Sequence, residues 1–231
     1  MEDNANQSDL FEKVLSKAVL KQEVYKNTFE ASKLFKEVIV EIIDEFKKKL
    51  SPEEKRITFE YKDKDAFEME LKFAGDVLIF MMHTNVFEFS RNHEIMRTNY
   101  IHENKQRSYC GIINIYNFLA DSFKYNREND VGYLIGRVFI NKENHFYIEG
   151  KKELGLIYNN FQNNILTKEA VRSIVENAIL YTSNFDLLTP PYDEVKEVSV
   201  LEIQANIDNI LLKTGKRLGF KFQADSDNLN A

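Results

Sequence analysis

The chain has 231 residues, 43% of them apolar and 13% aromatic, with eighteen Phe, eleven Tyr and no Trp; that is ample material for a core and excludes a chain disordered throughout. Its formal net charge of −6, with Lys/Arg and Asp/Glu interspersed, gives no general attraction to nucleic acid or to an anionic membrane. The single cysteine excludes an intramolecular disulfide and fits a reducing compartment. The acidic, polar start lacks signal-peptide character, and the apolar runs fall far short of the ~20 residues of a membrane span, so a soluble, cytoplasmic protein with no membrane partner is expected.

Three prolines and eight glycines in the whole chain point to long regular elements. Residues 1–8 read as frayed. From Asp9 to Leu50 there is neither Gly nor Pro. Apolar residues recur there in steps of three and four, from Phe11, Val14, Leu15 and Ala18 through Val38, Ile39, Ile42 and Ile43, which is one face of a helix. One rod over this stretch would be roughly 60 Å long at ~1.5 Å per residue. Either it breaks near Tyr25–Ser32, where Asn27 or Thr28 caps a second helix, or it runs past the body and pairs with another subunit. Ser51-Pro52 ends it. The period then changes to two. Ile57, Phe59 and Tyr61 share a face, and after a polar turn Phe67, Met69, Leu71 and Phe73 alternate with Glu68, Glu70 and Lys72, giving a hairpin with one wet face. Ala74-Gly75-Asp76 is a turn into a central strand over residues 77–89. Residues 91–108 are polar and aperiodic, a connector. Residues 109–123 read as a strand or a short helix, with the β-branched content favouring strand, and a hairpin over 131–150 follows about the polar turn Asn141–Asn144. A helix capped by Thr167 buries Val171, Ile174, Val175, Ala178 and Ile179. A rigid connector over 189–195 leads to a last helix from Val200 to Lys213, stopped by Thr214-Gly215, and then to a short closing strand. The expected fold class is α+β: an antiparallel sheet of about six strands within residues 56–150, covered on one face by a long N-terminal helical segment and two C-terminal helices. The expected organisation is a helical segment over 1–50, an α+β domain over 51–222, and a tail over 223–231.

Four clusters carry residue types that do chemistry. His83, His93 and His102, with Glu94 beside His93, fall close together in sequence and are candidate metal ligands, although neither histidine–glutamate pair continues into HExxH. The competing reading is a half-buried His83 and two solvated histidines. Cys110, beside Gly111, reads as a small buried hydrophobe. Asp130 precedes one strand of the last hairpin, and Glu149 and Lys151 close its partner on one face. Two carboxylates at one end of a hairpin can hold Mg²⁺, and a lysine beside them can orient a water or steady charge on a phosphate. Finally, Lys213, Lys216, Arg217 and Lys221 surround Gly215 and Gly219 with two phenylalanines interleaved, a candidate phosphate-binding segment that also suits the end of a helix.

The Asp130…Glu149-Gly150-Lys151 arrangement is similar to the Asp…Glu-x-Lys pattern of the restriction-endonuclease-like nucleases. The resemblance covers residues 130–151 and three matching positions; Gly150 fills the middle place, and the antiparallel meander differs from that family's mixed sheet. What it implies is Mg²⁺-dependent phosphodiester hydrolysis by Asp130, Glu149 and Lys151, with nucleic acid as a partner under that reading alone. Without a dense catalytic cluster, the leading expectation is a binding or interaction protein with no cofactor. It recognises a small ligand or a protein, a second copy of itself foremost, so a homo-oligomer is expected.

Overall fold

The computed structural model describes residues 2–203 apart from 129, 152–153, 156–157, 159, 186–188, 190 and 202, with side chains at 2–8 and 194–195 also left undescribed. The helix α1 (Glu2–Lys49) runs unbroken for 48 residues, about 70 Å at 1.5 Å per residue. Nothing in the stretch interrupts it, and the two expected caps have other work. The Thr28 hydroxyl donates to the Val24 carbonyl one turn back at 2.7 Å and is fully buried. Asn27 reaches off the helix and donates to the Asn141 and Lys142 carbonyls at 3.1 and 2.8 Å. A run of three lysines, Lys47–Lys49, ends the helix and complements its dipole. Ser51 and Pro52 then open a 3-10 turn.

Among the described residues seven strands follow: β1 (Phe59–Asp63), β2 (Glu68–Phe73), β3 (Asp76–Met82), β4 (Phe87–Glu88), β5 (Tyr109–Leu119), β6 (Tyr133–Asn141) and β7 (Phe146–Gly150). They form one antiparallel sheet in the order β1-β2-β3-β5-β6-β7, with β4 paired to β5. Leu71 faces Leu78 across β2–β3, Ile79 faces Tyr116 across β3–β5, and Arg137 faces Glu149 across β6–β7. The β6–β7 turn uses the residues such a turn requires: Asn144 takes φ 60°, and Asn141 Oδ1 accepts from the Glu143 and His145 backbone N–H groups. The β2–β3 turn instead holds Ala74 at φ 49°, in the left-handed region that favours glycine. The strand expected over 77–89 is in fact two. The His83 imidazole Nδ1 accepts from the Asn85 N–H at 3.0 Å, a side-chain-to-backbone bond that competes with the ladder. Pairing to β5 resumes at Phe87 opposite Cys110.

One sheet face is covered by α1 and by α4 (Lys168–Ser183). Phe35, Ile39 and Ile42 of α1, and Val171, Ile174, Val175 and Ala178 of α4, are fully buried against Met69, Leu78, Phe80, Ile113, Ile115, Ile140 and Phe146. Thr167 caps α4 by accepting from the Ala170 N–H at 3.2 Å. The helix α1 crosses β5 at Gly111, where a Cβ would lie 2.0 Å from the Thr28 hydroxyl. The opposite face is covered at one end by the 91–108 segment, expected to be a polar connector. It folds as two 3-10 turns about the short helix α2 (Asn99–Glu103). Ile95, Tyr100 and Ile101 from it close a second core with Phe89, Cys110, Ile112, Phe139, Tyr147 and Phe161. A further short helix, α3 (Ala120–Lys124), follows β5, and α5 (Tyr192–Val195) lies beyond α4. The expected last helix lies outside the described residues beyond Ile203, and the closing strand wholly so. Among the described residues no helix is long and apolar enough to cross a membrane.

Candidate functional site

The hairpin β6–β7 places Glu149 between Arg137 and His93. The Arg137 guanidinium donates to Oε2, and His93 Nε2 lies 2.8 Å from Oε1. His93 opens a 3-10 turn, so its Nδ1 accepts the Ile95 N–H at 3.2 Å. That bond puts the ring proton on Nε2, facing the carboxylate. Both ring nitrogens are therefore engaged, and neither is open to take a proton from a substrate. Next door, Glu94 accepts from the Tyr147 hydroxyl at 2.8 Å, whose pKa is pushed well up by burial first and by this carboxylate second.

Asp130 is held elsewhere: its Oδ2 accepts from the Ser122 hydroxyl at 2.6 Å beside α3. The strand β6 begins at Tyr133, but Glu149 pairs four residues further along, at Arg137. At ~3.3 Å per residue these levels are about 13 Å apart, and Asp130 lies before the first of them. Because β6 outruns β7, the hairpin does not bring the two carboxylates to one cation-sized site. Lys151 is exposed, and its backbone N–H closes the ladder on the Ile135 carbonyl at 2.9 Å.

The histidines also stay apart. His83 is exposed at the β3–β4 break, edge-on to Phe87 with ring centres 4.7 Å apart, and His102 is exposed on α2. Among the described residues, no group of three or more His, Cys, Asp or Glu side chains is placed to hold a metal ion. Cys110 is buried, and that burial pushes its thiol well up. Lys213, Lys216, Arg217 and Lys221 lie outside the described residues.

The fourth histidine, which no motif picks out, belongs to a closed polar network. Tyr100 OH accepts from Asn141 Nδ2 at 2.9 Å, meets His145 Nδ1 at 3.0 Å and donates to Glu143 at 3.2 Å. Arg107 Nε donates to both Glu143 oxygens at 3.0 Å, and its guanidinium lies 4.3 Å over the Tyr100 ring. Burial is the main reason the Tyr100 hydroxyl is pushed up to about 12. With Asn141, His145 and Glu143 all meeting the Tyr100 hydroxyl, this cluster fastens α2 to the β6–β7 turn.

The exposed feature is α1 itself. Leu10, Phe11, Val14, Leu15 and Val19 are 62%, 65%, 60%, 49% and 45% exposed, whereas Phe35, Val38 and Ile39 of the same helix are fully buried. At about 100° per residue the middle of this stripe is rotated roughly a third of a turn from Phe35, Val38 and Ile39, but Leu10 and Val14 fall within the sector of the seated face and Phe11 lies at the angle of Phe29, which packs on the core. The stripe is therefore an apolar edge of the seated face carried past the end of the body. Lys17, 4.0 Å over the Tyr109 ring, and the buried Leu20 and Val24 hold the helix where it leaves the body. The stripe leads into an open groove of about 520 Å³ between Lys21, Gln22 and Tyr25 of α1 and the Thr84–Phe87 break. Tyr25 stacks on Phe29, which in turn meets Phe67. No family model, curated protein or solved structure matches the chain.

Proposed function

We propose that the protein is an interaction module that associates with copies of itself through the outer half of α1. The apolar stripe Leu10–Val19 supports this reading: a contiguous, ordered apolar surface of this kind marks an interaction site, and a second copy carries the matching surface for a two-fold contact. Five large apolar side chains about half exposed on each protomer, at ~1.5–3 kcal/mol for a full burial, offer about 10 kcal/mol across the pair. Association costs ~4–15 kcal/mol in lost freedom, which leaves a weak, concentration-dependent assembly with a dissociation constant in the micromolar range or above. Light scattering on a dilution series should show mass rising with concentration. A Val14→Glu/Leu15→Glu variant, altered at exposed positions, should stay monomeric with an unchanged melting temperature. A wild-type chain that is monomeric up to near-millimolar concentration overturns the proposal.

A further inference from the structure

We infer that the second copy packs antiparallel, so that its Leu10 and Phe11 lie against the groove formed by Gln22 and Tyr25 of α1 with Val86 and Phe87 of the strand break. This rests on the self-association reading above and adds the orientation and the partner surface.

Three observations carry it. The exposed surface does not end with the stripe: it leads at Tyr25 into the groove, where Val86 and Phe87 add apolar surface among Lys21, Gln22, Thr84 and Asn85, and Phe87 is 38% exposed. Leu10 to Tyr25 spans about 22 Å of helix, so an occupant needs a projecting helix of similar length with apolar residues at its far end. The outer half of another α1 has that length and ends in Leu10 and Phe11. A parallel partner would set its own Gln22 and Tyr25 against the groove and leave Leu10 and Phe11 of each copy beyond it. An antiparallel partner brings those two side chains to it, twice over by symmetry.

Antiparallel packing also opposes the two helix dipoles, whereas parallel packing lays like on like.

Two positions of α1 allow a direct test. Glu12→Cys and Gln22→Cys proteins, carried on different tags, are mixed and treated with a short bifunctional maleimide; the native Cys110 is buried and stays unreacted in the folded state. The mixed product is expected in several-fold excess over either self-product. A Glu12→Cys protein that links mainly to itself overturns the antiparallel arrangement while association stands. Association in light scattering with no link through either position overturns the assigned surface. A monomer in light scattering removes both this inference and the reading beneath it.

Discussion

Replacing Gly111 by alanine tests how α1 is seated. The new Cβ would lie 2.0 Å from Thr28 Oγ1, 2.7 Å from its Cβ and 2.8 Å from its Cγ2. Turning the threonine side chain cannot relieve this, because its Cβ is fixed to the helix backbone. The helix must lift, and Asn27, which donates to the Asn141 and Lys142 carbonyls, lifts with it. Overpacking of this kind costs ~1–3 kcal/mol where the surroundings can adjust; a rigid helix against a central strand should bring it to the top of that range, about 3 kcal/mol. For a chain of this size each kcal/mol moves the midpoint by ~2–4 °C, so a fall of roughly 6–12 °C is expected by calorimetry. Thr28→Gly removes all three clashing atoms, at ~1 kcal/mol for glycine inside a helix. The double variant should therefore be more stable than Gly111→Ala alone, a coupling that only direct contact produces. A Gly111→Ala protein that melts with the wild type, or a double variant that merely adds the two losses, would refute the close seating of α1 on β5.

Tyr100→Phe removes the hydroxyl shared by Asn141, His145 and Glu143, and a loss of ~1–3 kcal/mol is expected from the groups left unpaired, read as a lower urea midpoint at unchanged slope; wild-type stability would show that the network is not closed in solution. Alkaline pH should weaken the fold at this site and at Tyr61 on β1. The Tyr100 and Tyr61 hydroxyls are raised from 10.0 to about 12, burial being the first cause in each. The folded state then holds protons that the unfolded chain releases, so this stability is intact below pH ~10 and is lost as pH climbs toward 12. A urea midpoint that stays flat across that window, or phenolates that all form near pH 10, would count against the burial of these rings.

What the sequence discloses depends on period. The alternation of Phe67, Met69, Leu71 and Phe73 against Glu68, Glu70 and Lys72 specifies both a strand and its inner face, and those residues line the sheet as read. The face of α4 is equally plain, because Val171, Ile174, Val175 and Ala178 recur at helical spacing behind a threonine cap. The 91–108 segment has no period to read. Its 3-10 and α turns are each four or five residues long, so Ile95, Tyr100 and Ile101 reach the second core from irregular positions. Histidines clustered over 83–102 suggest a metal site. The structure instead uses His93 to open a turn and pair with Glu149, and uses His83 to interrupt a strand. The Asp130–Glu149 proximity fails for a countable reason, since hairpin partners of nine and five residues do not end together.

Helical spacing discloses a face but not where the body beneath it ends. From Phe11 to Phe46 the apolar steps of three and four are continuous. Leu10 and Val14 fall within the sector of the seated face, and Phe11 lies at the angle of Phe29, which packs on the core. The exposure of the outer residues follows from a helix that outruns its sheet, while Lys13 and Lys17 fill the side facing Glu88 and Tyr109. A helix that only needed to stay soluble beyond its domain would carry polar residues on every face. This one stays apolar past the point where its own sheet covers it, and the proposed self-association rests on that apolar continuation.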